Sequence, residues 1–294
     1  MYHKQRQIKK LTTYIPVAET FRALASEQGC VFLDSSLVND LGRFSIIGAC
    51  PYLKLVKDGE KFFINEKEET GITFEDYLRN YLRDHVDQNE SELPLVSGAV
   101  GYFSYDYGRK LQGVPSGEKA LVKIPDAVLT FYDVYLIEDC HQKETYLVAN
   151  GITADASEKI QEMEQKIRQR TERKEEQKVP HNIIVTPNFE KEEYKKAVDD
   201  MIHYIIEGDI YITNMTQQLT IESDKAPLDV FYDLRKNNPS PFGGSWRFPD
   251  RLCFSGTFPQ DEKRSRQHKT DQRYTKKRRD SGRRPSDAYR TGKL

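Results

Sequence analysis

The sequence predicts an α+β fold built on mainly antiparallel sheet, and three observations predict it. Short runs rich in β-branched and aromatic residues recur from Cys30 to about Asn150, bounded by Gly, Asp or Asn. Segments with apolar residues at three- and four-residue spacing punctuate those runs. The pair Asp58-Gly59 between two runs is a hairpin turn signal, which makes antiparallel pairing the economical reading.

The elements follow in order. A helix is predicted from Val17 to about Gln28, with Phe21, Leu24 and Ala25 on one face. Strands are predicted at Val31-Phe32-Leu33, Phe44-Ser45-Ile46-Ile47, Tyr52-Leu53-Lys54-Leu55-Val56 and Lys61-Phe62-Phe63-Ile64. A second helix, Thr73 to Leu82, presents Phe74, Tyr77, Leu78 and Leu82; both helices are expected to cover the sheet. Further strands are predicted from Ala127 to Tyr132, from Val134 to Ile137 and from Thr145 to Ala149. A charged helix over 155–173 has Ile160, Met163 and Ile167 as its apolar seam.

The stretch Arg170 to Lys178 is almost wholly polar and reads as a linker. A new unit starts near Val185-Thr186-Pro187. There Asn188 is expected to cap a helix from Lys191 to Glu207, with Tyr194, Val198, Ile202, Ile205 and Ile206 inward. Gly208 should end that helix, and Ile210-Tyr211-Ile212 should begin a strand. The expected organisation is an N-terminal domain over 1–169, a linker over 170–184, the start of a second domain over 185–255, and a basic tail over 256–294. The tail has almost no aliphatic residues and no periodicity, so it is expected to be disordered.

Composition narrows the class. With 294 residues, 37% of them hydrophobic, the chain can bury one large core or two smaller ones. No apolar run approaches the roughly 18 residues of a membrane span. The four cysteines, Cys30, Cys50, Cys140 and Cys253, lack CxxC spacing, which argues against a zinc site or a secreted disulfide framework and for a reduced, cytoplasmic setting. The net charge of -1 conceals an asymmetry: residues 261–294 carry 13 Lys+Arg against 5 Asp+Glu. A basic arm is one route to nucleic acid or an anionic surface. Its random-looking composition counts against that, and neither a nucleic-acid nor a membrane partner is expected.

Five places in order carry a family pattern. They are Phe32-Leu33-Asp34-Ser35 followed by Gly42-Arg43-Phe44-Ser45-Ile46-Ile47-Gly48; the run Gly98 to Tyr107; Pro125-Asp126 before a strand; Gly208-Asp209-Ile210-Tyr211-Ile212-Thr213-Asn214-Met215-Thr216-Gln217; and Asn238-Pro239-Ser240-Pro241-Phe242. Together, over roughly residues 10–255, they resemble the anthranilate synthase component I and aminodeoxychorismate synthase component I family of chorismate-using enzymes. The resemblance implies two facing, mainly antiparallel sheets flanked by helices, with chorismate bound mainly by a C-terminal half that this chain lacks.

Each match also has a local chemical reading. Ser35, Leu41, Gly42, Arg43 and Phe44 with Pro241, Phe242 and Gly243 resemble the family's pocket for tryptophan, which serves there as feedback inhibitor or structural ligand. An apolar pocket rimmed by a hydroxyl and backbone groups suits an indole amino acid; the same residues also read as turn and packing positions. The glycines of the run Gly98 to Tyr107 form neither GxGxxG nor GxxxxGK[ST], so they are read as permitting close strand packing. In the run from Gly208, Asn214, Thr216 and Gln217 read either as presented hydrogen-bonding groups or as the satisfied edge of a core strand.

The family continues into Ser-Pro-Glu-Arg-Phe and then Pro-Ile-Lys-Gly-Thr or Pro-Ile-Ala-Gly-Thr. This chain has Gly256-Thr257-Phe258-Pro259-Gln260 instead, so the expected catalytic glutamate and lysine motifs are absent and no catalytic residue is assigned. Taking the last two bases of each codon with the first of the next, from Thr270 to Pro285, permits Pro-Ile-Lys-Gly-Thr-Arg-Lys-Arg-Gly-Glu-Thr-Pro-Glu-Glu-Asp. The tail thus reads as an out-of-frame translation, from a frameshift or a sequencing error. One step survives codon choice: Gln272 has A as its second base, so the shifted codon does not encode alanine. Lysine there resembles the aminodeoxychorismate branch, where it is the nucleophile, whereas anthranilate synthases usually carry alanine.

The resemblance therefore implies an enzyme that replaces the 4-hydroxyl of chorismate with an amino group, using Mg2+ and ammonia from a glutamine amidotransferase, component II. A hydroxyl leaves poorly, so a metal, a general acid and a nucleophilic lysine share the work. Those groups, including the metal-binding glutamates, are expected in the missing half, so this chain should bind no Mg2+ itself. Anthranilate synthase component I and a non-catalytic tryptophan-binding fragment are the alternatives.

Overall fold

The computed structural model describes residues 6–24, 29–39, 42–115, 124–170, 182–240, 243–248 and 251–256. The chain forms two compact units, Met1–Arg173 with Asp233–Leu294, and Lys174–Tyr232. Along the first run β1 (Gln7–Lys10), α1 (Val17–Leu24), β2 (Val31–Asp34), β3 (Phe44–Asp58), β4 (Lys61–Ile64), β5 (Lys67–Glu69), α2 (Phe74–Asp84), β6 (Ala99–Phe103), α3 (Tyr105–Leu111), β7 (Ala127–Asp139), β8 (Glu144–Ala149) and α4 (Ala156–Arg170) succeed one another. Then come β9 (Ile183–Pro187), α5 (Lys191–Glu207), β10 (Leu219–Ser223), α6 (Pro227–Asn237), β11 (Gly243–Phe248) and β12 (Arg251–Gly256). The fold is α+β and every strand pairing is antiparallel, as expected.

In the first unit ten strands form one sheet around the long pair β3 and β7. Each of these was expected as two short strands. In β3 the dipeptide Cys50-Pro51 reads as a break because proline donates no ladder hydrogen bond. The chain instead absorbs it as a register shift between Pro51 and Leu53, with Cys50 at φ 54°, and pairing with β7 resumes. In β7 the interrupting residue is Asp133. It is fully buried, and its carboxylate accepts hydrogen bonds from the Ile152 and Thr153 N–H groups at 2.9 and 2.7 Å and from the Thr153 hydroxyl at 2.5 Å. A charge with three donors is tolerated inside a strand that is buried on both faces.

Successive residues of β7 point to opposite faces. Tyr135 and Ile137 join Val31, Ile46, Val96, Val100 and Val148 in one core cluster. At the other end of the strand Ala127 and Phe131 pack with Leu53, Leu55, Phe62 and Phe74. α1 lies on β3 and β7, α4 on β8 and β1, and the two helices touch each other. The seam Ile160, Met163 and Ile167 is buried as its spacing predicts. Asp58 and Lys61 pair across the predicted hairpin turn. α2 is capped by Thr73, whose hydroxyl accepts from the Asp76 N–H at 3.1 Å, and it buries Phe74. Leu82, expected inward, is exposed. The expectation for the Gly98 run holds at Gly101: a Cβ there would meet the Val128 carbonyl oxygen at 2.0 Å, so only glycine lets β6 lie this close to β7. The last residues of that run form α3, which the sequence reading missed.

The second unit contains a two-stranded sheet, β9 with β10, and the helix α5. Three expectations are corrected here. The helix N-cap is Glu190, whose N–H donates to Glu193 Oε2 at 3.1 Å; Asn188 instead exchanges hydrogen bonds with Gln218, binding the end of β9 to the start of β10. Ile210-Tyr211-Ile212 forms no strand; the strand begins at Leu219. Tyr194 and Val198 are half-buried, but Ile202, Ile205 and Ile206 are exposed, because no described element covers that face. Gly208 ends the helix at φ 81°, the left-handed conformation that glycine adopts without strain.

The tail 257–294 lies outside the described residues, as does most of the polar linker at 171–181.

Candidate functional site

β2 ends at Asp34, and the next residue begins the candidate site. The buried Ser35 hydroxyl donates to the Phe44 carbonyl at 2.7 Å, and the Ser35 N–H donates to the Ser45 hydroxyl at 3.0 Å. These bonds hold the end of β2 against the start of β3. Ser36 exchanges two hydrogen bonds with Ser240: its hydroxyl donates to the carbonyl at 3.2 Å and accepts from the N–H at 2.9 Å. The Leu37 N–H reaches the same carbonyl at 2.8 Å. Beyond this junction β11 pairs with β2, Gly243 opposite Asp34. Chain segments about 200 positions apart are thereby fixed at one sheet end.

Of the residues singled out in the sequence, Ser35, Gly42, Arg43, Phe44 and the backbone of Gly243 lie at this sheet end; Leu41, Pro241 and Phe242 lie outside the described residues. Gly42 is positioned by Asn39, whose carbonyl and side-chain oxygens both accept from the Gly42 N–H. Arg43 turns its guanidinium onto Asp139 Oδ2 at 2.6 and 3.0 Å and lies 4.7 Å over the Phe44 ring.

Several residues that the sequence reading did not single out complete the neighbourhood. Arg235 of α6 donates to Asp34 Oδ2 at 2.8 Å. The other oxygen of Asp34 and the hydroxyl of Thr20 are buried and make no hydrogen bond among the described residues. Burial pushes the Asp34 carboxyl above its ordinary range, and the Arg235 guanidinium opposes that rise. Glu138 accepts from the Tyr14 hydroxyl at 2.5 Å and from the Val17 N–H at 2.9 Å, anchoring α1. Cys140 lies 3.7 Å from the Ser45 hydroxyl, and burial with the nearby Glu138 charge pushes its thiol up to about 11. That thiol is a poor nucleophile. Asp34 stands inside the quoted motif, and the signal that could have found it is its charge within an otherwise apolar strand.

A second cleft, of about 700 Å3, lies away from these residues, between the β3–β4 turn, the start of α2 and α3. Among its charged groups Lys57 pairs with Glu75, Lys61 with Glu68 and Lys110 with Asp126. Among the described residues no group of three or more His, Cys, Asp or Glu is placed to hold a metal ion. No helix among them is long and apolar enough to cross a membrane.

Comparison with known proteins puts the chain in context. It is 25% identical over 237 residues to anthranilate synthase component 1 of Acetivibrio thermocellus, covering 74% of this chain and 48% of that protein. It is 26% identical over 247 residues to aminodeoxychorismate synthase component 1 of Klebsiella aerogenes, covering 80% and 52%. The chain spans about half the length of these relatives. In fold it resembles the crystal structure of anthranilate synthase component I from Streptococcus pneumoniae TIGR4, with a TM-score of 0.55 at 20% identity over 69% of this chain and 47% of that one. The chorismate binding enzyme family model matches residues 37–259, which take in β3 and every later described element, and the chain accordingly belongs to the family of chorismate binding enzymes.

Proposed function

We propose that the chain is the N-terminal portion of component I of an aminodeoxychorismate synthase. That enzyme would convert chorismate, with ammonia released from glutamine by a component II amidotransferase, to 4-amino-4-deoxychorismate on the way to 4-aminobenzoate and folate. Relatives named for both branches match at 24–27% identity, so identity does not choose between them. The observation that carries the choice is Gln272: its second codon base excludes alanine from the shifted frame and permits the lysine of Pro-Ile-Lys-Gly-Thr. The purified chain is expected to show no chorismate turnover with ammonia and Mg2+. A gene restored to one frame should yield a protein that forms 4-amino-4-deoxychorismate; anthranilate as the product would overturn the reading.

A second reading concerns this chain's own residues. The Ser35, Gly42 to Phe44 and Gly243 neighbourhood supports a pocket for L-tryptophan, with Leu41, Pro241 and Phe242 as further lining. The Asp34 oxygen that lacks a hydrogen-bond partner, next to Ser35 in the chain, is an acceptor suited to an α-ammonium group. Ser35→Ala removes the bond that holds the strand end at Phe44, and it should weaken tryptophan binding at least about tenfold, or 1.4 kcal/mol. Calorimetry on the two proteins tests this, and equal affinities would show that the pocket lies elsewhere.

A further inference from the structure

Asp34 is buried, yet only one oxygen of its carboxylate is engaged. Arg235 Nε donates to Oδ2 at 2.8 Å, whereas Oδ1 is buried and has no hydrogen-bond partner among the described residues. A charged oxygen taken out of water without a donor is costly, and folded proteins rarely keep one. The surroundings make the charge harder still to hold. The register that sets Leu33 opposite Ile46 brings Asp34 beside Ser45, and Ser45 pairs with Glu138, so a second carboxylate stands two strands away on the same sheet face. The nearby Cys140 thiol, pushed up to about 11, is neutral. On β11 the residue opposite Asp34 is Gly243. α1 leaves Glu19 and Arg22 exposed, and α6 leaves Asp233 and Lys236 exposed on either side of Arg235. Among the described residues Arg235 is the one cation in contact with Asp34.

We infer that Arg235 is a positioning residue for an amino-acid ligand at this sheet end: by fixing Oδ2 it keeps the buried Asp34 an anion whose Oδ1 receives the ligand's α-ammonium group. For the ligand's identity this rests on the tryptophan reading above, which it deepens. The contact geometry supports it, because Arg235 meets Asp34 through Nε on one oxygen, whereas a bidentate fork would occupy both. The electrostatics agree. Burial, and then the Glu138 charge, push the Asp34 carboxyl up, while the Arg235 charge and hydrogen bond, with a smaller contribution from Ser45, pull it down. With Arg235 removed, only the Ser45 hydroxyl opposes the rise. Asp34 then goes over to the neutral acid, which holds an ammonium group far less well.

Calorimetry on the full 294-residue chain tests this by comparing L-tryptophan with indolepropanoate, which keeps the ring and the carboxylate and lacks the ammonium group. Wild type should bind tryptophan at least about tenfold more tightly than indolepropanoate. Arg235→Met should erase that preference at pH 7 while leaving indolepropanoate affinity within about twofold, and the preference should return as pH rises and Asp34 ionises. Arg235→Lys should keep most of it. Where Arg235→Met does not fold, Arg235→Gln, which keeps a donor and drops the charge, stands in with the same expectations. Equal loss of both ligands at every pH, with no rescue by lysine, would reduce Arg235 to a staple between α6 and β2 and overturn the inference. An unchanged preference would overturn it too. Heteronuclear NMR of the Asp34 carboxyl in the ligand-free chain separates this from the reading beneath it. The carboxyl midpoint should rise by at least about one pH unit in the variant, the equivalent of a tenfold change. A midpoint that rises in a chain to which neither ligand binds would sink the tryptophan pocket and leave Arg235 as the residue that keeps Asp34 charged. An unmoved midpoint would sink the role of Arg235 whether or not tryptophan binds.

Discussion

Asp139 closes β7 and shows how one carboxylate organises the turn into β8. Its Oδ1 accepts from the His141 and Gln142 N–H groups, each at 3.0 Å, while Oδ2 takes both contacts from Arg43. Burial by itself raises the carboxyl, but the Arg43 and backbone donors outweigh it and hold the group below its ordinary value. A carboxylate whose folded pKa is depressed contributes stability above its unfolded value, about 3.9, and loses it as pH falls through the folded value. Asp34 has the opposite sign: its folded value is raised, so its contribution is present at acid pH and declines as pH rises through that value. Because Arg43 is 41% exposed, the charge pair itself is screened, and the hydrogen bonds carry the effect. Asp139→Asn should cost about 1–3 kcal/mol at pH 7. The gap should narrow as pH falls from the ordinary carboxylate value through the depressed folded one. Urea midpoints followed from pH 7 down to the most acid pH at which the protein stays folded check this, and a gap that stays constant throughout would remove the Asp139 ionisation from the account.

Elements were legible where spacing and burial agree. The α4 seam and the hairpin at Asp58-Gly59 each follow from a local signal whose partner surface exists in the same unit. Signals that depend on a distant partner were harder to read. Pro51 and Asp133 look like strand breaks until β7 and the Ile152-Thr153 turn supply the register and the donors. α3 has no buried residue, so no apolar stripe announces it. At the candidate site, Ser35 and Gly42 to Phe44 were legible in the motif. Arg235 was not, because its link to Asp34 joins residues 201 positions apart. The close pairing of β6 with β7 gives a test at this scale. Gly101→Ala drives a methyl onto the Val128 carbonyl oxygen at 2.0 Å and the Leu129 Cα at 2.8 Å; the Leu129 side-chain end at 2.7 Å can move aside, but the backbone of a paired strand cannot. The expected cost is about 3 kcal/mol or more, read from denaturant unfolding. A loss below about 0.5 kcal/mol would mean that β6 does not hold this register.

At the scale of the whole molecule, the two units differ in what holds them. In the first, β3 and β7 pair along almost their full length, and their side chains enter two core clusters and the layer beneath α1 and α4. In the second, every residue of β9 and β10 is exposed and α5 buries no side chain. Burying a large aliphatic side chain stabilises a fold by about 1.5–3 kcal/mol, so leaving these isoleucines in water removes most of what would offset the ordering of the chain. Local opening free energy follows buried apolar contact. In the chain alone, amides of β9, α5 and β10 should therefore exchange at least about a hundredfold faster than those of β3, β7 and β8, a difference of roughly 2.7 kcal/mol in opening free energy. Limited proteolysis should cut within Lys174–Tyr232 before it cuts the sheet of the first unit. Hydrogen exchange read by mass spectrometry on the purified chain decides the matter. Protection in α5 equal to that in β7 would mean that the exposed face is already covered in solution, and a dimer or a bound partner would then have to be found in the preparation.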